Sequence, residues 1–334
     1  MSFLFPSSTI TFEAALRDLA QGSPRARAFA AHALGELTEP AEKRRALDAL
    51  LTALDDDRFE VRAEACSSIG ELHEPSAIPA LVKRLGDGHA AVRQQAAIAL
   101  GTIGHPDGFD ALAESLADGP ADLRFQAATS LAEIDPKKSY PLLVKALDDK
   151  DPQVVSAAAL SLGAIGDDAA VPVLAKHLDH ADAGARFDTA YALAELNDGR
   201  GRAALVAALA DSERAWDAVT ALGNLGTADD AEALGRAMGN KKTPPEATVL
   251  AAGTLLTIAG ASAHGDAARR VLLAALGARK EHVRALAVEQ LGVTAGDWAK
   301  APLEKLARSG KGADMLEAIA TALRAIDERT VAKP

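Results

Sequence analysis

The chain has 334 residues, is 49% hydrophobic but only 4% aromatic, and carries a formal net charge of −11 with a pI near 5.3. That balance argues against general nucleic-acid binding and against attraction to anionic membranes. The single cysteine, Cys66, cannot form an intramolecular disulfide or supply a metal cluster.

Residues 1–12 are an apolar tail (Phe3, Leu4, Phe5, Ile10, Phe12) and are expected to cap whatever follows. The stretch lacks a positive n-region and a long apolar h-region, so no secretory signal is expected. No apolar run approaches the roughly 18 residues that would span a bilayer, and a cytoplasmic location is the expectation.

From residue 13 to residue 330 one pattern recurs. Residues 87–103 read DGHAAVRQQAAIALGTI: a turn, then apolar residues at helical spacing (Val92, Ala96, Leu100, Ile103). The same pattern returns as DDRFEVRAEACSSIGEL (56–72), DGPADLRFQAATSLAEI (118–134) and DKDPQVVSAAALSLGAI (149–165). Its register runs through Gly70, Gly101, Ala132, Gly163 and Ala194 in steps of 31, with Gly35 before and Gly223, Leu256, Gly292 and Arg324 after. That makes ten copies. Gly101 inside a helix costs about 1 kcal/mol of propensity, which implies a packing reason for it. Between copies lies a shorter apolar helix, as in AIPALVKRL (77–85), so each unit is a helical hairpin that cannot bury its apolar face alone. The stretches NKKTPPE (240–246) and AGASAHGDA (259–267) interrupt the pattern, and a bend is expected over 238–267.

The pattern D-x-x-x-x-V-R-x-x-A-A-x-x-L-G-x-I, followed by P-x-A-x-x-x-L-x-x-x-L, resembles HEAT repeats, in particular the short phycobilisome-lyase HEAT-like form. The resemblance implies an all-α fold, a right-handed α-solenoid of about ten hairpins. It is uninformative about activity, because scaffolds, enzyme subunits and a few enzymes share the fold. In such proteins a recurring Asp and Arg hydrogen-bond between neighbouring repeats. Arg27, Arg62, Arg93, Arg124, Arg186 and Arg284 occupy one repeat position here, behind Asp56 or Asp57, Asp87, Asp118 and Asp182. The row is broken by Val155, Ala215, Thr248 and Leu316, so a structural role is expected rather than an anion-binding strip.

At about 100° per residue, Val61, Ala65, Ile69 and Leu72 share the core face of the second helix of the second repeat. Positions 63, 67 and 71 fall on the far side, which in a HEAT-like solenoid lines the concave surface. In the middle repeats those positions carry Ile98; Phe125 and Glu133; Leu160; Phe187, Tyr191 and Glu195; and Trp216. Four of the twelve aromatics thus stand on one column. Asp188 and Asp217 lie beside it. Exposed apolar surface marks binding sites, and aromatics are enriched at interface hot spots.

Catalytic motifs are missing: no nucleophile elbow, Gly-rich phosphate loop or zinc-protease helix is present. Deoxyhypusine hydroxylases, also HEAT-like, hold two irons through repeated His-Glu pairs. The matching positions here are Ala63-Glu64, Gln94-Gln95, Phe125-Gln126 and Phe187-Asp188, so no metal or other cofactor is expected. HEAT-like DNA glycosylases use a basic concave face, whereas this column carries Glu36, Glu71, Glu133 and Glu195, so no nucleic-acid partner is expected. The expected function is a non-enzymatic scaffold that holds a protein segment, amphipathic or extended, with apolar anchors and basic flanks. The resemblance keeps two alternatives open: a bilin-lyase-like enzyme or enzyme subunit, and a purely structural assembly component.

Overall fold

The structure, a computed structural model, describes residues 10–331. Most of the expected N-terminal cap, residues 1–9, lies outside that range. Among the described residues the regular structure is helical throughout, in twenty α-helices linked by turns and short 3-10 segments. These pair into hairpins, ten in number, as the repeat register requires.

The first compact unit ends at Ala170 and holds five hairpins. They are α1 (Phe12–Gln21) with α2 (Pro24–Gly35), α3 (Pro40–Ala53) with α4 (Phe59–Leu72), α5 (Ile78–Arg84) with α6 (Ala90–Ile103), α7 (Phe109–Asp118) with α8 (Ala121–Ile134), and α9 (Pro136–Ala146) with α10 (Pro152–Ile165). The second unit starts at Val171 and holds the other five. These are α11 (Val171–Ala175) with α12 (Ala183–Glu195), α13 (Arg202–Ala208) with α14 (Ala215–Leu225), α15 (Ala228–Gly239) with α16 (Pro245–Ala259), α17 (Ala263–Ala275) with α18 (Glu281–Thr294), and α19 (Lys300–Ala307) with α20 (Leu316–Val331).

Local chemistry sets the helix boundaries. Thr11, Ser23, Asp135, Asp151, Asp182 and Ser262 cap helix N-termini by accepting a backbone N–H. Pro24, Pro40, Pro136, Pro152 and Pro245 stand in first turns, where their missing N–H costs nothing. Left-handed glycines at 104, 166 and 226 end α6, α10 and α14. His73 does the same for α4 at φ 55°, which places His73-Glu74 in a turn.

Val61, Ala65, Ile69 and Leu72 are shut away from solvent, so the core face is the one the helical period implies. The ladder glycines mark where consecutive second helices touch. A Cβ on Gly35 would stand 2.8 Å from Ser68 Cα, one on Gly70 3.0 Å from Ala99 Cα, and one on Gly101 2.8 Å from Ser130 Cβ. In each case the partner precedes the next ladder position by two residues. The second unit repeats this at Gly292, whose Cβ would stand 3.1 Å from Ala322 Cα. The eighth repeat departs from it. Leu256 holds the ladder position there, and Gly253, one turn earlier, abuts Gln290 of α18 instead.

Four of the six recurring arginines, Arg27, Arg62, Arg93 and Arg124, bind the neighbouring repeat as expected. Arg62 donates to both carboxylate oxygens of Asp87 at 2.9 Å, and Arg124 does the same to Asp149 at 2.7 Å. Arg27 reaches Asp56 at 2.8 Å and Arg93 reaches Asp122 at 2.9 Å. The partner lies in the following repeat, not in the arginine's own. Each arginine also ties its own interhelical turn, as where Arg62 donates to the Asp56 carbonyl at 2.9 Å. Asp87 and Asp149 in turn accept the backbone N–H two residues on, at 2.9 and 2.8 Å. Arg186 and Arg284 depart from this: among the described residues they bond the carbonyls of their own turns. The paired guanidiniums hold the Asp87 and Asp149 carboxyls below the usual carboxylate range.

Two outcomes are expected. Gly35→Ala gains up to about 1 kcal/mol of helix propensity yet forces the α2 and α4 backbones apart, an overpacking that costs about 1–3 kcal/mol. Urea unfolding therefore shows net destabilisation, whereas Gly88→Ala, with no atom within 4 Å of its Cβ, is neutral. A depressed carboxylate pKa contributes stability above the unfolded value, about 3.9, and loses it as pH falls through the folded value. The protein therefore weakens progressively below about pH 5. Asp87→Asn, which leaves Arg62 without its charge partner, costs about 3 kcal/mol at neutral pH and flattens that acid limb. Unfolding midpoints measured across pH check both claims.

Candidate functional site

In the first unit the expected column lies on successive second helices. Phe125 on α8 and Leu160 on α10 are 37% and 38% exposed, large values for residues so apolar. Ile98 on α6 is half-buried and Glu133 on α8 is exposed. Thr129, one turn after Phe125, turns its hydroxyl back to the Gln126 carbonyl at 3.1 Å.

The second unit corrects one expectation. Phe187 is only 5% exposed and belongs to the core. Its ring packs within the core of this unit, and the guanidinium of Arg214, just before α14, lies over it at 5.6 Å. Tyr191, its ring 6.3 Å from that of Phe187, is half-buried against the same core. Burial pushes the Tyr191 hydroxyl above its ordinary pKa, and the Glu195 and Asp217 carboxylates push the same way. Glu195 accepts from Asn224 Nδ2 at 3.1 Å, Asp217 is exposed and Asp188 is half-buried. Trp216 stands out from α14 at 44% exposure.

Trp216 also opens onto a groove that its own column triplet does not disclose. The groove encloses about 1020 Å³ between α14, α16, α18 and α20. Its apolar lining is Ala285, Leu286, Val293, Met315, Ala318 and Ala322, and its carboxylates are Glu246, Glu281, Glu289, Asp314 and Glu317. Val293 is 63% exposed, and Leu316, at the start of α20, is also open to solvent. The signal for this groove lies in the repeat register. The triplets equivalent to 63, 67 and 71 are Ala285, Glu289, Val293 and then Glu317, Thr321, Ala325, five of the six being small or acidic and none aromatic. In the eighth repeat Val249 and Gly253 are buried, so that repeat offers Glu246 to the groove instead.

Charge in the groove is unbalanced. Glu246 is held by His282 Nε2 at 2.6 Å and by Lys280 Nζ at 3.4 Å. Among the described residues Glu281, Glu289, Asp314 and Glu317 make no ion pair, whereas Asp56, Asp87, Asp122 and Asp149 of the first unit are each taken by an arginine.

Phe187→Ala is expected to lower unfolding free energy by about 3–5 kcal/mol, as a buried aromatic deletion does. Trp216→Ala should stay within about 1 kcal/mol, because its ring is largely in solvent. Urea titration of both variants separates the core aromatic from the surface one.

A family model described as HEAT repeats matches residues 47–128 and 116–194. No curated protein matches the chain. Among solved structures, importin beta is similar at 13% identity and a TM-score of 0.57, with 94% of this chain and 52% of that one covered. The complex of CpcE and CpcF of phycocyanin lyase from Nostoc sp. PCC7120 is similar at 24% identity and a TM-score of 0.40, covering 81% of this chain and 98% of that one. An engineered protein is similar at 21% identity and a TM-score of 0.45, with 96% and 99% covered. The register, the hairpins, the inter-repeat arginines and the family match agree on HEAT repeats over residues 47–194.

Proposed function

We propose that the chain is a non-enzymatic interaction scaffold that holds a partner protein segment against the free face of its second helices. The observation that carries this reading is the exposure of Phe125 and Trp216 at equivalent positions of their repeats, and of Leu160 one helical turn further along the same face of its own. Apolar side chains gain free energy only when removed from water, so rings presented at a repeated position need a partner to cover them. Glu133, Glu195 and Asp217 supply a polar margin of the kind that sets orientation and association rate.

Chemistry at these helices has few carriers. Cys66 is buried and its thiol is pushed up to about 12 by that burial, so it holds no thiolate near neutrality. Strongly placed carboxylates such as Asp56, Asp87, Asp149 and Asp230 are bound to arginines. Their depressed pKa values therefore report structural ion pairs rather than a site prepared for proton transfer.

The test is photo-crosslinking in the native cell from p-benzoylphenylalanine placed at 125, 160 or 216, and at the outer-face positions Lys83 and Arg236. The expected result is protein adducts from the three column positions and none from the outer pair. Equal labelling from both sets, or labelling from the outer pair alone, refutes the reading.

A further inference from the structure

The groove of the second unit has a definite shape and charge, and these name its occupant more closely than the scaffold reading on which the inference rests. The geometry points to a docking site for an amphipathic helix whose apolar stripe is flanked by Lys or Arg. Three observations on the groove lead there.

The first is the lining. Val293 is 63% and Trp216 44% exposed over a floor of alanines, so a ligand finds large side chains to cover and small ones that let its backbone come close. The second is size. A helix about 10 Å across with a 5.4 Å pitch fills roughly 400 Å³ per turn, so about 1020 Å³ accommodates some two to three turns. The third is hydrogen bonding. The groove is walled by α-helices, whose interior backbone groups are already paired. An extended segment lying on them would leave its own amides without acceptors, which costs about 1–3 kcal/mol for each one buried. A helix satisfies its backbone internally.

Charge then selects among helices. Glu281, Glu289, Asp314 and Glu317 make no ion pair among the described residues, and only His282 and Lys280 stand near Glu246. A cationic helix relieves that imbalance and an anionic one worsens it. The chain's first nine residues, MSFLFPSST, are apolar but carry no Lys or Arg, so they fit the lining and not the rim.

The experiment uses the full chain with Trp298→Phe, which leaves Trp216 as the reporter at the groove. The probe is a synthetic leucine–lysine amphipathic helix, and its counterpart carries glutamate at every lysine position. The lysine helix should shift Trp216 emission to the blue in a saturable way, and the glutamate helix should not. Glu289→Lys with Glu317→Lys should weaken that binding at least tenfold. Glu114→Lys with Glu304→Lys, an equal change of net charge on exposed first helices of their hairpins, should weaken it less than twofold. Equal weakening by both pairs means general attraction to an acidic protein and overturns the proposal. Equal binding of both helices, or an unmoved Trp216, overturns it too. So does a red shift of Trp216 on deleting residues 1–9, or concentration-dependent sedimentation that shields Trp216, since either names a different occupant. Loss of the crosslinked adduct with lysine-helix binding intact refutes the scaffold and leaves the groove standing. The reverse result refutes the groove chemistry alone.

Discussion

Consecutive second helices come within backbone contact only where no side chain stands between them, and the rest of each unit follows from that constraint. Gly35, Gly70, Gly101 and Gly292 provide such points, each against a Ser or Ala two residues ahead of the next ladder position. Because both partners are defined by the register, the contact repeats only if the period is kept. A glycine that weakens an isolated helix by about 1 kcal/mol is thus the residue that lets the helices stack. The same constraint explains Gly253: with Leu256 at the ladder position, the approach to α18 moves one helical turn earlier.

Close packing at one stripe leaves the opposite stripe free to differ from repeat to repeat. Electrostatics decides what it costs to place charge there. In the first unit Asp56, Asp87, Asp122 and Asp149 bind arginines of the preceding repeat, bidentate at Asp87 and Asp149, where backbone N–H groups fill a remaining lone pair. Such pairs bind repeats together and present little net field. In the second unit Arg186 and Arg284 spend their hydrogen bonds on their own turns. The carboxylates of α18 and α20 are therefore not neutralised by the ladder.

Most of the architecture was legible in the sequence. Gly70 and Gly101, 31 residues apart, and Gly163, twice that further on, with an Arg eight residues ahead of the first two, report the register. Once the register is known, the wheel assigns Val61, Ala65, Ile69 and Leu72 to the core. The candidate face was only partly legible. Phe125, Leu160 and Trp216 follow from the wheel of their own helices. Phe187 does not, because its ring is covered by core residues and by Arg214, twenty-seven positions later in sequence, which the wheel of its own helix does not include. The groove beyond Trp216 was written at the same repeat positions but in Ala, Glu and Thr, residues that suggest an ordinary solvated face. Its depth arises only when four helices are set side by side, a property that no single helix carries.

The acidic rim raises a question of necessity that the fold itself answers. Solubility does not need it, since the chain already carries a net charge of −11. Capping does not need it either. Glu281 and Glu317 lie in first turns, where a helix dipole favours a carboxylate by only about 0.3–1 kcal/mol, and Glu289 lies past the middle of α18, beyond the reach of that effect. No arginine ladder engages them. Gathering like charges beside exposed Val293 and Trp216 gives the free protein nothing that a neutral polar rim would not give, and adds mutual repulsion. The arrangement is favourable only when something both apolar and cationic covers it, so the physics of the uncovered groove already describes its complement.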